Sequence, residues 1–130
     1  MKKNTPLRIP VTAGLKDIYS LDMHTAYQAA CLGKFNVELF SRLATAIAVV
    51  LSALEQKLPP IPQAIETLDA AVATLVQVKV RGDASDIWEL AESEFPVILE
   101  AIFMVEQCIG TLDVALLERT AASLNNMAAG

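Results

Sequence analysis

The most regular pattern of apolar and polar positions in this chain lies between residues 36 and 58. Large apolar side chains recur there every three or four residues, and small or weakly polar side chains recur at the same step on the opposite side. This period predicts an α-helix with one buried face. A helix in lipid is apolar all round for roughly 20 residues, whereas Glu38, Arg42 and Glu55 interrupt this segment. The pattern therefore predicts the core helix of a soluble protein and no membrane span.

Glycine and proline residues divide the rest of the chain into further helices. A first helix is expected over residues 22–32, and Gly33 is expected to close it in the left-handed backbone conformation. Asn36 is expected to cap the start of the second helix. The Pro59-Pro60 pair is expected to end it, because proline lacks the amide hydrogen that a helix interior needs. A third helix is expected over 62–80, although the alternation of apolar residues over 76–81 is also compatible with a strand.

The following segment predicts two more helices. Gly82 is expected to end the third helix, and residues 86–89 fit the pattern of a capping box at the start of a fourth. This fourth helix is expected over 86–109, with either a kink or a break at Pro96. A last helix is expected over 112–124.

The first 20 residues show no helical period and hold Pro6, Pro10 and Gly14. They are expected to form an extended arm, with a short strand over 7–12. Because the connections between the predicted helices are short, neighbouring helices should run antiparallel. The chain is thus predicted to be all-α: one domain over residues 1–130, built as a compact antiparallel bundle of four to five helices with an extended N-terminal arm.

Charge narrows the range of partners. The formal net charge is −5 and the sequence pI is about 4.8, which argues against a protein that binds nucleic acid through its phosphates. No base lies between Arg81 and Arg119, a stretch in which acids accumulate. The simplest interpretation is a solvated acidic face, and the alternative is a docking surface for a basic partner. Two cysteines and no apolar run after Met1 favour a reducing cytoplasm.

Catalytic chemistry is hard to assemble from these residues. His24 is the single histidine, no ligand cluster with metal-binding spacing occurs, and the five glycines are scattered. No catalytic residue, metal ligand or cofactor is predicted. One hypothesis nevertheless keeps a small-ligand pocket or an enzyme site near His24, since Tyr27 and Cys31 share its helix face.

A second hypothesis concerns DNA. Residues 22–50 have the spacing of a helix-turn-helix, with Gly33 in the turn. Arg42 is one of few residues there that suit base recognition, and Glu38 would repel phosphate. A small transcription-associated factor is therefore an alternative function.

The leading hypothesis is protein interaction. Small side chains recur along one side of the second helix and allow another helix to approach closely; this small-residue ridge comprises Ala44, Thr45, Ala48 and Ser52. Phe103 falls on the polar side of the fourth helix, where it is either an exposed anchor for a partner or turned inward by a kink at Pro96. The sequence thus predicts a non-catalytic cytoplasmic interaction or regulatory protein, working as a homodimer or with a protein partner through the ridge and Phe103.

Overall fold

The computed structural model describes residues 13–56 and 61–109, and over these residues the chain is helical and contains no strand. The all-α prediction is confirmed for this part of the chain. Three predictions lie outside the described residues: the strand over 7–12, the end of the second helix at Pro59-Pro60 and the last helix over 112–124. The elements are α1 (Ala13–Cys31), α2 (Val37–Gln56), α3 (Pro62–Ser85), a single 3₁₀ turn (Glu92–Glu94) and α4 (Phe95–Cys108).

Helix α1 begins earlier than its sequence indicates. It starts at Ala13, so the prediction of an extended arm is wrong for residues 13–20, and the predicted start at Asp22 is wrong as well. The cause is tertiary: Tyr19 packs against the same core that buries Met23 and Ala26. Burying this apolar face favours helical backbone upstream of Asp22, whatever the local capping preference.

The turn between α1 and α2 follows the local rules. Gly33 has φ +71, and the amide of Lys34 donates to the carbonyl of Ala29 at 2.7 Å. This pair of features is the Schellman closure of a helix. Asn36 then accepts a hydrogen bond from the amide of Leu39 through Oδ1 at 2.9 Å, as an N-cap does. The predicted roles of Gly33 and Asn36 are confirmed.

Helix α3 passes through Gly82 and ends at Ser85. Both the predicted end at Gly82 and the strand considered over 76–81 are wrong. The helix closes at Asp86, whose φ is 61 and whose amide donates to the carbonyl of Gly82 at 2.7 Å. Gly82 itself is buried, and a Cβ atom there would lie 2.5 Å from the ring of Trp88. This glycine is required for space, not for a turn.

Helix α4 begins at Phe95, not at residue 86. The predicted capping box over 86–89 is wrong, because Asp86 belongs to the end of α3 and residues 87–91 form a non-helical connection. Pro96 lies in the first turn of α4, where its missing amide hydrogen has no helical partner to lose. The kink considered at Pro96 is therefore wrong, and the alternative of a break is nearer to the structure, since α4 begins at Phe95.

The four helices of the described residues pack pairwise around one apolar core. Helix α1 contacts α2 and α4, and α3 contacts the same two helices. Ser20 meets Glu106 while Tyr27 meets Phe95, so α4 runs antiparallel to α1. The largest fully buried side chains are Met23, Leu43, Ile47, Leu54, Leu68, Ile98, Ile102 and Ile109.

Helix α2 contributes more buried residues than any other described helix. Among the described helices it is also the one that is long and apolar enough to cross a membrane, judged by length and composition. Half of that stretch is buried inside the molecule. The core helix of a soluble protein has the same properties.

Candidate functional site

A polar cluster joins α1 to α4 at their shared surface. The carboxylate of Glu106 accepts a hydrogen bond from Ser20 Oγ, and His24 Nε2 lies 3.2 Å from the same oxygen, Oε2. Ser20 donates to the carboxylate and not to the histidine, whereas a serine nucleophile requires a hydrogen bond to its base. The cluster therefore links two helices and does not have the geometry of a catalytic triad.

The residues proposed to surround a pocket near His24 do face α4, but the structure uses them in packing. The ring of Tyr27 meets Phe95 edge-on, with centroids 5.7 Å apart. Burial, and secondarily the nearby Cys31, raise the pKa of the Tyr27 hydroxyl above its usual value. Cys31 is exposed at the end of α1. These contacts hold α1 against α4 and give no specific support for a ligand pocket.

Two open grooves lie elsewhere on the described surface. The groove between α1 and α2 has a volume of about 250 Å³, and the groove between α3 and α4 has a volume of about 420 Å³. Thr45, Tyr19 and Asp22 border the first groove, and Glu66, Glu100 and Val97 border the second. Neither groove contains His24.

The groove between α1 and α2 also bears on the helix-turn-helix hypothesis. Tyr19 lies about 18 Å along α1 from its end at Cys31, at 1.5 Å per residue. It still shares a groove with Thr45 of α2. In a helix-turn-helix the two helices cross at about 90–120° and separate with distance from the turn. Side-by-side packing so far from Gly33 is the geometry of an αα-hairpin.

The charge of the would-be recognition helix is also neutralised locally. Arg42 donates to Glu38 at 2.8 Å across one turn of α2. An arginine that is already paired with a carboxylate attracts phosphate less strongly. This pairing and the hairpin geometry both favour functions other than DNA recognition.

The predicted partner-binding residues lie on two separate parts of the surface. Along the small-residue ridge, Thr45 is exposed, whereas Ala44, Ala48 and Ser52 are partly buried. Phe103 is 50% exposed on α4, and its ring centroid lies 6.4 Å from that of His24. The inward turn considered for Phe103 is wrong, because Pro96 lies in the first turn of α4 and no kink rotates the second half of the helix.

Sequence reasoning missed the residues that lie between these two parts. Ile18 is 57% exposed and Leu21 is 67% exposed on the outer side of α1. Both were missed because residues 1–20 were assigned to an arm and the first helix was expected to start at Asp22. The available signal was the step from Tyr19 to Met23 and Ala26, which predicts a helix whose opposite side carries Ile18 and Leu21.

A charged clasp fixes the connection between α3 and α4. The guanidinium of Arg81 donates to both carboxylate oxygens of Glu94, at 2.9 and 2.5 Å, and to the carbonyl of Glu89 at 3.3 Å. Glu94 also accepts the amide of Ala91 at 2.7 Å. The hydrogen bond to Arg81 is the largest cause that holds the pKa of Glu94 below its usual range. The same bond raises the pKa of Arg81.

The ion pair between Arg81 and Glu94 should make a contribution to the free energy of unfolding that is lost in acid. Since the pKa of Glu94 is lowered in the folded state, the contribution is present at neutral pH and is lost as the pH falls through that lowered pKa. Glu94→Gln keeps an acceptor for Ala91 but removes the charge, and it should cost about 1 kcal/mol at pH 7. The value is modest because the side chain of Arg81 is 43% exposed.

Urea unfolding measures the effect at pH 7 and at an acid pH chosen below the lowered pKa of Glu94. Wild type and Glu94→Gln should differ at pH 7 and converge in acid. The control is Glu92→Gln, which alters an exposed carboxylate in the same turn and should change little at either pH. A Glu94→Gln deficit that persists undiminished in acid would show that the charge is not its source.

Among residues 13–56 and 61–109, no group of three or more His, Cys, Asp or Glu side chains is placed to hold a metal ion. Comparison with protein-family models, with curated protein sequences and with solved structures finds no match to this chain. Function must therefore be argued from the surface of the molecule itself.

Proposed function

We propose that this chain is a non-catalytic cytoplasmic interaction or regulatory protein. In this proposal it folds as a compact antiparallel helical bundle and works through helix–helix contacts as a homodimer. The observation that carries the proposal is the grouping of large exposed apolar side chains on adjacent helices. Ile18 and Leu21 lie on α1, and Phe103 lies on α4 against His24 of α1.

Single exposed apolar residues are normal on a protein surface. These three residues are close in the fold, since Ile18 and Leu21 are one turn apart on α1 and Phe103 lies beside His24, three residues after Leu21. Grouped exposed apolar side chains of this kind mark interaction sites. Phe103 is the type of residue that anchors an interface when a partner covers it. Burying the aromatic ring and the two aliphatic side chains in an interface would stabilise the dimer by about 25 cal/mol per Å² of apolar surface removed from water.

The small-residue ridge supports the same proposal from the other flank of α1. Thr45 and Ala48 lie on the outward side of α2, where side chains of this size allow the backbone of a second helix to come close. Tyr19 and Asp22 connect this side of α2 to α1 through their common groove. The ridge, the outer face of α1 and Phe103 would then form successive parts of one broad surface.

Size-exclusion chromatography with light scattering over a range of concentrations tests the proposal. The expected result is a mass of twice the 14.0 kDa chain that falls towards one chain on dilution. A strict monomer at every concentration would contradict the homodimer.

A further inference from the structure

The outer face of α1 carries a pattern that the core packing does not explain. Five residues at alternating steps of three and four lie on one side of the helix and its closing turn, and all five are exposed. These residues, named here the α1 seam, are Ile18, Leu21, Thr25, Gln28 and Leu32. The core-facing side of α1 carries Tyr19, Met23 and Ala26 instead.

Alternating steps of three and four are the spacing by which two helices form a coiled-coil contact. The two ends of the seam are its apolar parts, with Ile18 57%, Leu21 67% and Leu32 69% exposed. Its centre is Thr25, a short side chain that permits a close crossing. Helix α1 therefore presents one apolar side to its own core and a second, interrupted one to solvent.

We propose that the α1 seam packs antiparallel against the same seam of a second copy of this chain, about a two-fold axis near Thr25. This inference rests on the homodimer proposed above and specifies its interface. Ile18 and Leu32 lie seven residues before and seven residues after Thr25. A two-fold axis at Thr25 therefore brings Ile18 of one copy to the partner's Leu32, and the reverse, as an isologous interface requires.

The placement of two opposite charges favours the antiparallel direction and a second copy as the occupant. Asp17 is exposed at one end of the seam and Lys34 is exposed just beyond the other end. Antiparallel pairing sets Asp17 of each copy beside the partner's Lys34. Parallel pairing would set Asp17 beside the partner's Asp17, in a chain whose net charge of −5 already makes two copies repel.

The seam alone is too small for a stable interface. From Ile18 to Leu32 it extends about 21 Å at 1.5 Å per residue, whereas a standard interface buries about 800 Å² on each partner. Phe103 supplies adjoining apolar surface, since its ring lies beside His24 on the flank of α1 next to the seam. The interface thus extends across α1 onto α4.

The experiment measures the dimer dissociation constant of full-length chains by sedimentation or light scattering. Leu21→Glu should raise the dissociation constant by about a hundredfold, because it places a charge in each half of the interface. Val76→Glu is the matched control, since Val76 is 51% exposed on α3, across the molecule from α1, and should leave the constant unchanged. Circular dichroism should show native helicity in both variants, because both sites are exposed.

Charge reversal tests the direction of packing. Asp17→Lys and Lys34→Glu should each raise the dissociation constant by about tenfold, since each converts two attractive contacts into repulsive ones. The two changes together should restore it, because Lys at position 17 would again face the partner's acid at position 34. A combined variant no better than the single ones overturns the antiparallel seam.

The two proposals fail in different ways. A wild-type chain that is monomeric at every concentration overturns the homodimer and the seam together. A dimer that Leu21→Glu leaves unchanged overturns the seam, while the homodimer stands on another surface such as the small-residue ridge.

Discussion

Gly82→Ala is expected to destabilise the protein by up to about 2 kcal/mol, because a packing cost of about 1–3 kcal/mol outweighs the gain of about 1 kcal/mol from the better helix former. Within a helix, alanine is favoured over glycine by about 1 kcal/mol, so local propensity predicts a gain. The added Cβ would lie 2.5 Å from ring carbons of Trp88. That distance is below van der Waals contact, so the ring must move, and overpacking of this kind costs about 1–3 kcal/mol.

The ring of Trp88 is not free to move without loss. Its centroid lies 5.1 Å from that of Phe40 at the start of α2, and Leu90 in the same connection is buried. Displacing Trp88 would therefore disturb the contact that holds the 87–91 connection against α2 and α3. The strain is not confined to one side chain.

A double-mutant cycle checks this explanation by the sign of the effect. In a Trp88→Ala background the clash is absent, so Gly82→Ala should stabilise the protein by about 1 kcal/mol. Urea unfolding measures all four chains. The control is Ala84→Gly at an exposed position of α3, which should cost about 1 kcal/mol in both backgrounds. If Gly82→Ala stabilises the wild-type chain, close packing of Trp88 is not the reason for this glycine.

Ile47→Lys is expected to abolish the native fold, whereas Thr45→Lys two residues away is expected to change stability by less than about 0.5 kcal/mol. Ile47 is fully buried at the centre of α2, where an unpaired charge costs several kcal/mol. Thr45 is exposed on the opposite side of the same helix. Far-UV circular dichroism and thermal unfolding measure the difference.

This pair of variants also distinguishes a core helix from a lipid-facing one. In a helix surrounded by lipid, a lysine near the middle is costly on every side, so Ile47→Lys and Thr45→Lys would be similarly damaging. In a helix with one buried side, the two differ sharply. Equal tolerance of both substitutions would contradict the buried position of Ile47.

The parts of the fold that depend on nearby residues could be predicted from the sequence. The turn between α1 and α2 is an example, because Gly33 and Asn36 act through backbone geometry and hydrogen bonds within a few residues of themselves. The buried side of α2 is another, since its period of apolar side chains is long and regular. The same apolar period predicts both that this segment is a helix and that one side of it lies in the core.

Residues whose role depends on distant partners could not be assigned in this way. In the sequence alone, Gly82 resembles a residue that ends a helix. In the structure its role is to leave space for the ring of Trp88. Pro96 has the same local chemistry at a helix start and at a kink, and the position of Phe95 as the first residue of α4 decides between them.

The candidate interaction surface also combines properties that are local with properties that depend on distant residues. The sequence shows directly that Ala48 is small and that residue 103 is a phenylalanine. It does not show whether these side chains are exposed, because exposure depends on which helices lie alongside. Ile18 and Leu21 belong to the surface because α1 begins at Ala13 and turns Tyr19 and Met23 inward.

The sequence by itself determined the all-α class, the turn at Gly33 and the buried side of α2, because hydrogen bonding and apolar period act over one or two helical turns. The tertiary structure alone decided where α1 and α4 begin, why position 82 is glycine and which apolar side chains face solvent. Those properties depend on contacts such as Trp88 with Gly82 and Ser20 with Glu106. Their partners are brought together only when the helices pack.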